Sequence, residues 1–401
     1  MFHKMNDFAR KIDYKSLQIF SIFASLYLLL FGWQIRTNWG LLQFWQMKDT
    51  KNFGDLSLVI EYAGCYSRIG VQVYGEGPTG DCHGYLYGQT LLKAINIFHL
   101  NFSHVDIIAI SFLLLNSIIY GVLSGLLFKE SKILGLISIL LFFSPATILL
   151  TERANIDAVI FIIITVIAIA YEKQSLFAFS LATLATLFKY YPVTLYPFLI
   201  FAFKKRISQI VVIGIMGWVI FLTYLNIKRV ETQFFDSVGG GFGNQSTGIW
   251  LRNLHIHPSS LWNNVIGIIM LALMSIIIWQ SLEITKITNV ALGNFRNRFV
   301  LFQGSVFIVC YIMGMNWDYR LVFGISAGVG LILDLNLAKI HKTFAVIALA
   351  IIPWCSYNSE GAIQFLGDLL IQILVSFLSI YIIVFVFSET KINIFKRGNS
   401  I

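Results

Sequence analysis

The sequence predicts an all-α polytopic membrane protein, and two observations carry that reading. The 401-residue chain is 57% hydrophobic and only 12% charged, with a mean hydropathy of +0.76, far more apolar than a water-soluble domain of ordinary composition. Apolar runs long enough for a helix to cross the hydrocarbon core recur along nearly the whole chain, separated by short polar segments. Together they predict one integral membrane domain over residues 1–401, with about 12 transmembrane helices.

Taken in order, the predicted spans are 16–35, 105–127, 132–149, 155–171, 175–188, 192–203, 208–226, 261–280, 299–315, 320–336, 343–354 and 363–387. The first follows the basic segment Met1–Lys15; it has the length of a span and no small-residue cleavage site after it, so it reads as a retained helix. The spans around Lys189 and around Pro353 are short for a core of about 30 Å, and are expected to be tilted or broken. Two connections are too long to be turns, Arg36–His104 and Lys228–Ser260, and long loops of this kind usually carry function. In the first, Asp55–Ile69 places Leu56, Val59, Ile60 and Ala63 at helical spacing, and Tyr85–Phe98 is similar. Both are predicted to be helices lying along the membrane interface. Gly75–Gly84, with Pro78 and four glycines, is the predicted flexible turn between them. No internal repeat is visible, which argues against repeat-built transporters.

The formal charge is +9, but the basic residues form no single patch, so nucleic acid is not the expected partner. They cluster between spans. Placing the N-terminus inside puts Lys129 and Lys132, Lys173, Lys204–Arg206, Lys286–Arg298, Lys339–Lys342 and Lys391–Arg397 on the cytoplasmic side of the cytoplasmic membrane, with both termini cytoplasmic. The two long loops are then extracytoplasmic. Cys65 and Cys82 share the first of them, where a disulfide can persist.

This topology leaves a set of charges at the outer face, including Asp55, Arg153, Asp157, Lys189, Arg252, Asp318 and Arg320. Ionisable groups next to or within spans are costly and usually functional, and a mixture of cations and carboxylates at one depth suits an anionic ligand plus an acid or base. A lipid phosphate fits. Lys189 ends an apolar run just before Tyr190, Tyr191 and Pro192 break the helix, so it points either into a cavity or out to the interface as a snorkelling lysine. Asp55 follows Gly54 at the start of a helix, and Asp157 follows Arg153 and Asn155 at the start of another; each carboxylate reads either as catalytic or as a helix cap. Asp318 and Arg320 are close enough in sequence to pair. The histidines show no metal-ligand spacing, and no metal or other cofactor is expected. Gly239–Gly243 lacks the Gly-Lys-Ser of a phosphate loop, and neither a dinucleotide fingerprint nor a nucleophile elbow is present, so nothing points to a nucleotide-sugar donor.

Several of these pieces together resemble one family. Asp55-Leu56 just after the first span, a helix ending near Gly70, Val73-Tyr74, and the aromatic pair Tyr85 and Tyr87 resemble the first loop of the GT-C superfamily of membrane glycosyltransferases. The Lys189-Tyr190-Tyr191-Pro192 break, and Asn244-Gln245-Ser246 followed by Arg252, resemble glycosyltransferase family 87, the polyprenol-phosphate-mannose-dependent alpha-mannosyltransferase-like group. At the fourth span, where the family pattern has a Gly-Gln or Gly-Asn element, this chain has Arg153-Ala154-Asn155-Ile156-Asp157. The resemblance implies a GT-C-like fold and inverting transfer of mannose or another hexose or pentose. The donor would be a polyprenyl-phosphate sugar and the acceptor a hydroxyl on a glycan or glycolipid, at the outer membrane face. Carried over by position, Asp55 would be the catalytic base, and Lys189, with Arg252 and Arg320, would hold the donor phosphate. Arg153, Asn155, Asp157, Tyr191, Asn244, Gln245 and Asp318 complete the candidate site. Other readings are a polymerase or ligase of lipid-linked glycans, whose large loop usually lies in the second half of the chain, and a lipid or glycan flippase, for which inverted repeats are expected.

Overall fold

The computed structural model of the chain describes residues 14–37, 53–74, 82, 85, 88–203, 205–230, 260–281, 292, 295–312, 320–333, 343, 346–347, 349–352, 354 and 362–398. Among these residues every regular element is helical. The long helices are α1 (Tyr14–Arg36), α2 (Gly54–Ile69), α3 (Gln89–Ile97), α4 (Val105–Glu130), α5 (Lys132–Phe142), α6 (Pro145–Glu152), α7 (Ile156–Ala170) and α8 (Ser175–Phe188). A 3-10 turn at Tyr191–Leu195 leads into the short α9 (Tyr196–Ile200), followed by α10 (Arg206–Val230), α11 (Ser260–Ser281), α12 (Phe295–Ile312), α13 (Leu321–Leu333) and α14 (Ala362–Gly398).

Among the described residues, three stretches of helix are long and apolar enough to cross a membrane: Phe102–Lys129, Arg206–Leu225 and Leu366–Phe385. The pair α6 and α7 would make a fourth if taken as one span, but it is bent by 107°. Within these stretches only 17% of Arg206–Leu225 is buried inside the protein, against 67% of Leu366–Phe385, so α10 is peripheral and α14 is central. The exposed side chains of α10, Ile207, Ile210, Val211, Trp218 and Phe221 among them, form the apolar face that lipid would cover.

The break between α5 and α6 corrects the sequence reading, which takes 132–149 as a single span. The helix instead stops at Phe142 and restarts at Pro145. Proline has no N–H to continue the hydrogen-bond ladder and is suited to the first turn of a new helix. The second interfacial helix is also shorter than predicted, beginning at Gln89 rather than Tyr85.

Tight packing places the helices that carry the candidate residues. Tyr27 of α1 packs its ring 5.6 Å from Tyr120 of α4 and 5.3 Å from Phe143. Gln303 of α12 donates to Thr165 Oγ1 of α7 at 3.3 Å. At Gly324 of α13, a β-carbon would lie 2.7 Å from the Phe307 ring of α12, so the absence of a side chain lets these two helices close on each other just beyond Arg320.

The described residues of the first long loop pack against one another as a unit. Asn96 of α3 donates to the Ala63 carbonyl of α2 at 2.9 Å, and Tyr66 donates to Gln89 Oε1 at 3.3 Å. Cys65 and Cys82 form a disulfide, resolving the pairing that the sequence left open.

Candidate functional site

The loop unit meets the bundle through backbone contacts at two helix ends. At one, the amides of Phe53 and Leu56 donate to the carbonyls of Glu152 at 2.8 Å and Arg153 at 3.3 Å, so the start of α2 sits on the end of α6. These bonds satisfy amides that the first turn of a helix cannot pair internally. Phe53 and Ala154 flank this junction, and both hold left-handed backbones, with φ of 56° and 45°. Residues other than glycine adopt that conformation at a cost of about 1–2 kcal/mol; such strain persists only where the surroundings enforce it, and it concentrates at functional sites. At the other end, Gly88 donates to the Phe188 carbonyl at 3.2 Å, and a β-carbon on Gly88 would meet the Leu187 carbonyl oxygen at 1.9 Å. The loop therefore grips the residues preceding Arg153 and those preceding Lys189.

Between these two grips the candidate side chains form one connected network. Asp55 Oδ1 accepts from Arg153 Nη1 at 3.0 Å, and Asp55 Oδ2 accepts from Asn155 Nδ2 at 2.5 Å. The carbonyl end of the Asn155 amide accepts from the Asp157 backbone N–H at 2.8 Å and from Lys189 Nζ at 3.2 Å. Lys189 Nζ also lies 2.7 Å from Asp157 Oδ1, and Arg320 Nε lies 3.2 Å from Asp157 Oδ2. Tyr191 donates its hydroxyl to Asp157 and lies beneath the Arg320 guanidinium, 5.9 Å away. Donors on one side of Asn155 and the Asp55 carboxylate, an acceptor, on the other fix which end of its amide faces which neighbour.

The network is graded in depth. Asp157 and Lys189 have side-chain exposures of 0% and 1%, whereas Arg320, Arg153 and Asp55 reach 15%, 19% and 20%. A buried ion pair thus anchors the floor, and one carboxylate with two guanidinium groups opens on the rim. Two structural readings left open by the sequence are excluded. Lys189 does not snorkel: as the residue that ends α8, with extended backbone, it turns inward onto Asp157. Nor is Asp157 a helix cap, since the N-cap of α7 is Asn155, while Asp55 directs its carboxylate to Arg153 and Asn155.

Seven candidate residues come together in this way: Asp55, Arg153, Asn155, Asp157, Lys189, Tyr191 and Arg320. Arg252, Asn244, Gln245 and Asp318 lie outside the described residues, as do Tyr87, Gly239–Gly243 and most of Gly75–Gly84. The sequence reading gave no place to Gly88, Phe53 or Ala154, whose contribution is to seat the loop. Among the described residues no group of three or more histidine, cysteine or carboxylate side chains is placed to hold a metal ion.

A second buried cation marks the opposite end of α7. Arg298 of α12 donates Nε to the Ala168 carbonyl at 2.8 Å, pairs with Glu172 at 2.9 Å and lies over the Tyr171 ring. With 1.5 Å of rise per residue, α7 separates this cluster from Asp157 by about 17 Å. Comparison of the chain with protein-family models, curated proteins and solved structures found no match.

Proposed function

We propose that the chain is an inverting glycosyltransferase that moves a sugar from a polyprenyl-phosphate donor to an acceptor hydroxyl at the extracytoplasmic face of the cytoplasmic membrane. Its architecture in this reading is GT-C-like, with about 12 spans and both termini cytoplasmic. One observation carries the proposal: the Asn155 amide ties a partly exposed carboxylate, Asp55, to a buried cation, Lys189. A transferase of this kind needs those two groups side by side, a base for the acceptor and positive charge for the leaving phosphate.

The roles follow from depth and charge. Asp55, on the rim, takes the proton of the acceptor hydroxyl as that oxygen attacks the anomeric carbon from the face opposite the phosphate. Direct displacement inverts the carbon and needs no covalent sugar on the enzyme. Lys189 and Arg320, with Arg252 as a further candidate, stabilise the negative charge that grows on the phosphate. Asp157 holds both cations, Lys189 and Arg320, at one place in the site. The helix break at Lys189 gives the phosphate a lateral entry between short helices while the lipid tail stays in the membrane. The 17 Å between the Asp157 and Arg298 clusters also suits a sidedness in which Glu172, Lys173 and Arg298 face the cytoplasm and the network faces out.

The test is transfer of radiolabel from a panel of polyprenyl-phosphate sugars into membrane lipid or polymer, comparing the wild type with Asp55→Asn at matched expression. The proposal expects transfer from one donor and its loss in the variant. Unchanged transfer in the variant would reduce Asp55 to a structural residue and move the polymerase and flippase readings ahead.

A further inference from the structure

We propose that Arg153 is a charge shuttle, neutralising Asp55 before transfer and turning to the leaving phosphate as Asp55 becomes protonated. The inference rests on the transferase reading above and gives a role to a residue which that reading leaves unassigned. It starts from the balance of the reaction. The acceptor oxygen forms a bond to the anomeric carbon, the bond from that carbon to the phosphate oxygen breaks, and its electron pair stays on the phosphate. The acceptor proton passes to the Asp55 carboxylate. A phosphodiester of charge −1 thereby becomes a phosphomonoester of charge −2, while Asp55 goes from −1 to neutral. One unit of negative charge leaves Asp55 and reappears on the leaving group.

The contacts show which cation is placed to follow it. Lys189 and Arg320 are both held by Asp157, whose charge does not change in the reaction, so they remain where they are. Arg153 is paired with the group whose charge vanishes. It sits at the rim with 19% of its side chain exposed, beside Asp55 at 20%, where a guanidinium can swing while keeping contact with water. Its planar fork matches carboxylate and phosphate oxygens equally well, which a lysine would not. Its backbone is fixed: the Arg153 carbonyl accepts from Leu56 and the strained Ala154 follows, so the side chain moves about a rigid base. The site then holds its doubly charged product until Asp55 loses the proton and takes Arg153 back, which couples product release to recycling of the base.

Product binding tests this without requiring turnover. The probe is farnesyl phosphate, a short polyprenyl phosphomonoester, titrated against purified wild type, Asp55→Asn, Arg153→Gln and the Asp55→Asn/Arg153→Gln double variant. Farnesyl methyl phosphate, a diester of charge −1, serves as the control. Asp55→Asn mimics the protonated base with nearly unchanged shape, so it is expected to bind farnesyl phosphate roughly tenfold more tightly than the wild type, as one added charge-assisted contact would give. The diester should gain less, and the double variant should lose the gain. A purely structural Arg153 would leave the double variant as tight as Asp55→Asn, since loss of the carboxylate by itself relieves its repulsion of the phosphate. Equal or weaker binding by Asp55→Asn, or a double variant as tight as Asp55→Asn, overturns the shuttle. Where Arg153→Gln fails to fold, Arg153→Lys takes the place of Gln in the double variant, with less than half the gain expected. Transfer by the wild type without this tightening sinks the shuttle alone. Absence of both transfer and farnesyl phosphate binding in every protein sinks the transferase reading and the shuttle together.

Discussion

Replacing Asp157 with asparagine probes the floor of the site. The substitution keeps the shape but leaves Lys189, at 1% exposure, facing a neutral amide with Arg320 beside it. Removing one partner of a buried pair typically costs 3–5 kcal/mol, because the charge left behind is neither solvated nor compensated. Asparagine can still accept one hydrogen bond from Lys189 or Tyr191, which puts the expected loss at the lower end, about 3 kcal/mol. At about 2 °C per kcal/mol, the low end for chains of 150–250 residues, the apparent melting temperature should fall by about 6 °C. The assay is thermal unfolding of the purified protein in detergent, followed by tryptophan fluorescence at a fixed scan rate, since unfolding of such proteins is often irreversible. The double variant Asp157→Asn/Lys189→Met removes both buried charges, and should recover at least half of the loss because Arg320 is partly exposed and can reach water. A single variant within about 1 °C of the wild type, or a double variant whose loss equals the sum of the two singles, would show that the pair does not anchor α7 to the break after α8.

Three further outcomes follow from particular contacts. Asn155→Leu removes the amide that joins Asp55 to Lys189 and the cap of α7; the cap alone is worth about 1 kcal/mol, and steady-state transfer should lose kcat by at least tenfold with donor KM changed much less. Cys65→Ser opens the tether across a sequence separation of 17 residues, a loss of about 3 kcal/mol in the chain-entropy picture, and melting scans with and without dithiothreitol should then coincide for the variant while differing for the wild type. Gly88→Ala pushes a methyl group into the Leu187 carbonyl, an overlap costing at least 1–3 kcal/mol; because the next residues are Phe188 and Lys189, proteolysis of the first loop should accelerate and transfer should fall together.

Much of this was legible in the sequence where the signal is local. The break after Lys189 follows from Tyr190-Tyr191-Pro192, and the apolar spacing of Leu56, Val59, Ile60 and Ala63 gave α2 within a residue of its observed bounds. Asn155 as the cap of α7 was also readable, since asparagine is among the best N-caps, yet the aspartate two residues on drew the assignment instead. The Ser144-Pro145 step signalled the new helix that the span reading ran through. What no local signal carries is the closure of the network. Asp55 meets residues 98 and 100 positions away, and Asp157 meets Arg320 across 163. Gly88 illustrates the same limit: a glycine in a loop reads as a turn, and only the approach of Leu187 shows that its missing side chain is required.

The central claim is that Asp55 and the Lys189–Arg320 cations act on one polyprenyl-phosphate sugar. The most direct measurement is single-turnover sugar transfer by purified protein in proteoliposomes, using the donor identified from the panel, for wild type, Asp55→Asn and Lys189→Met. The account predicts transfer by the wild type with inversion at the anomeric carbon. It predicts a loss of at least a hundredfold in Asp55→Asn with donor still bound, and loss of donor binding in Lys189→Met. Retention of anomeric configuration, or full transfer by a folded Asp55→Asn protein, would contradict it.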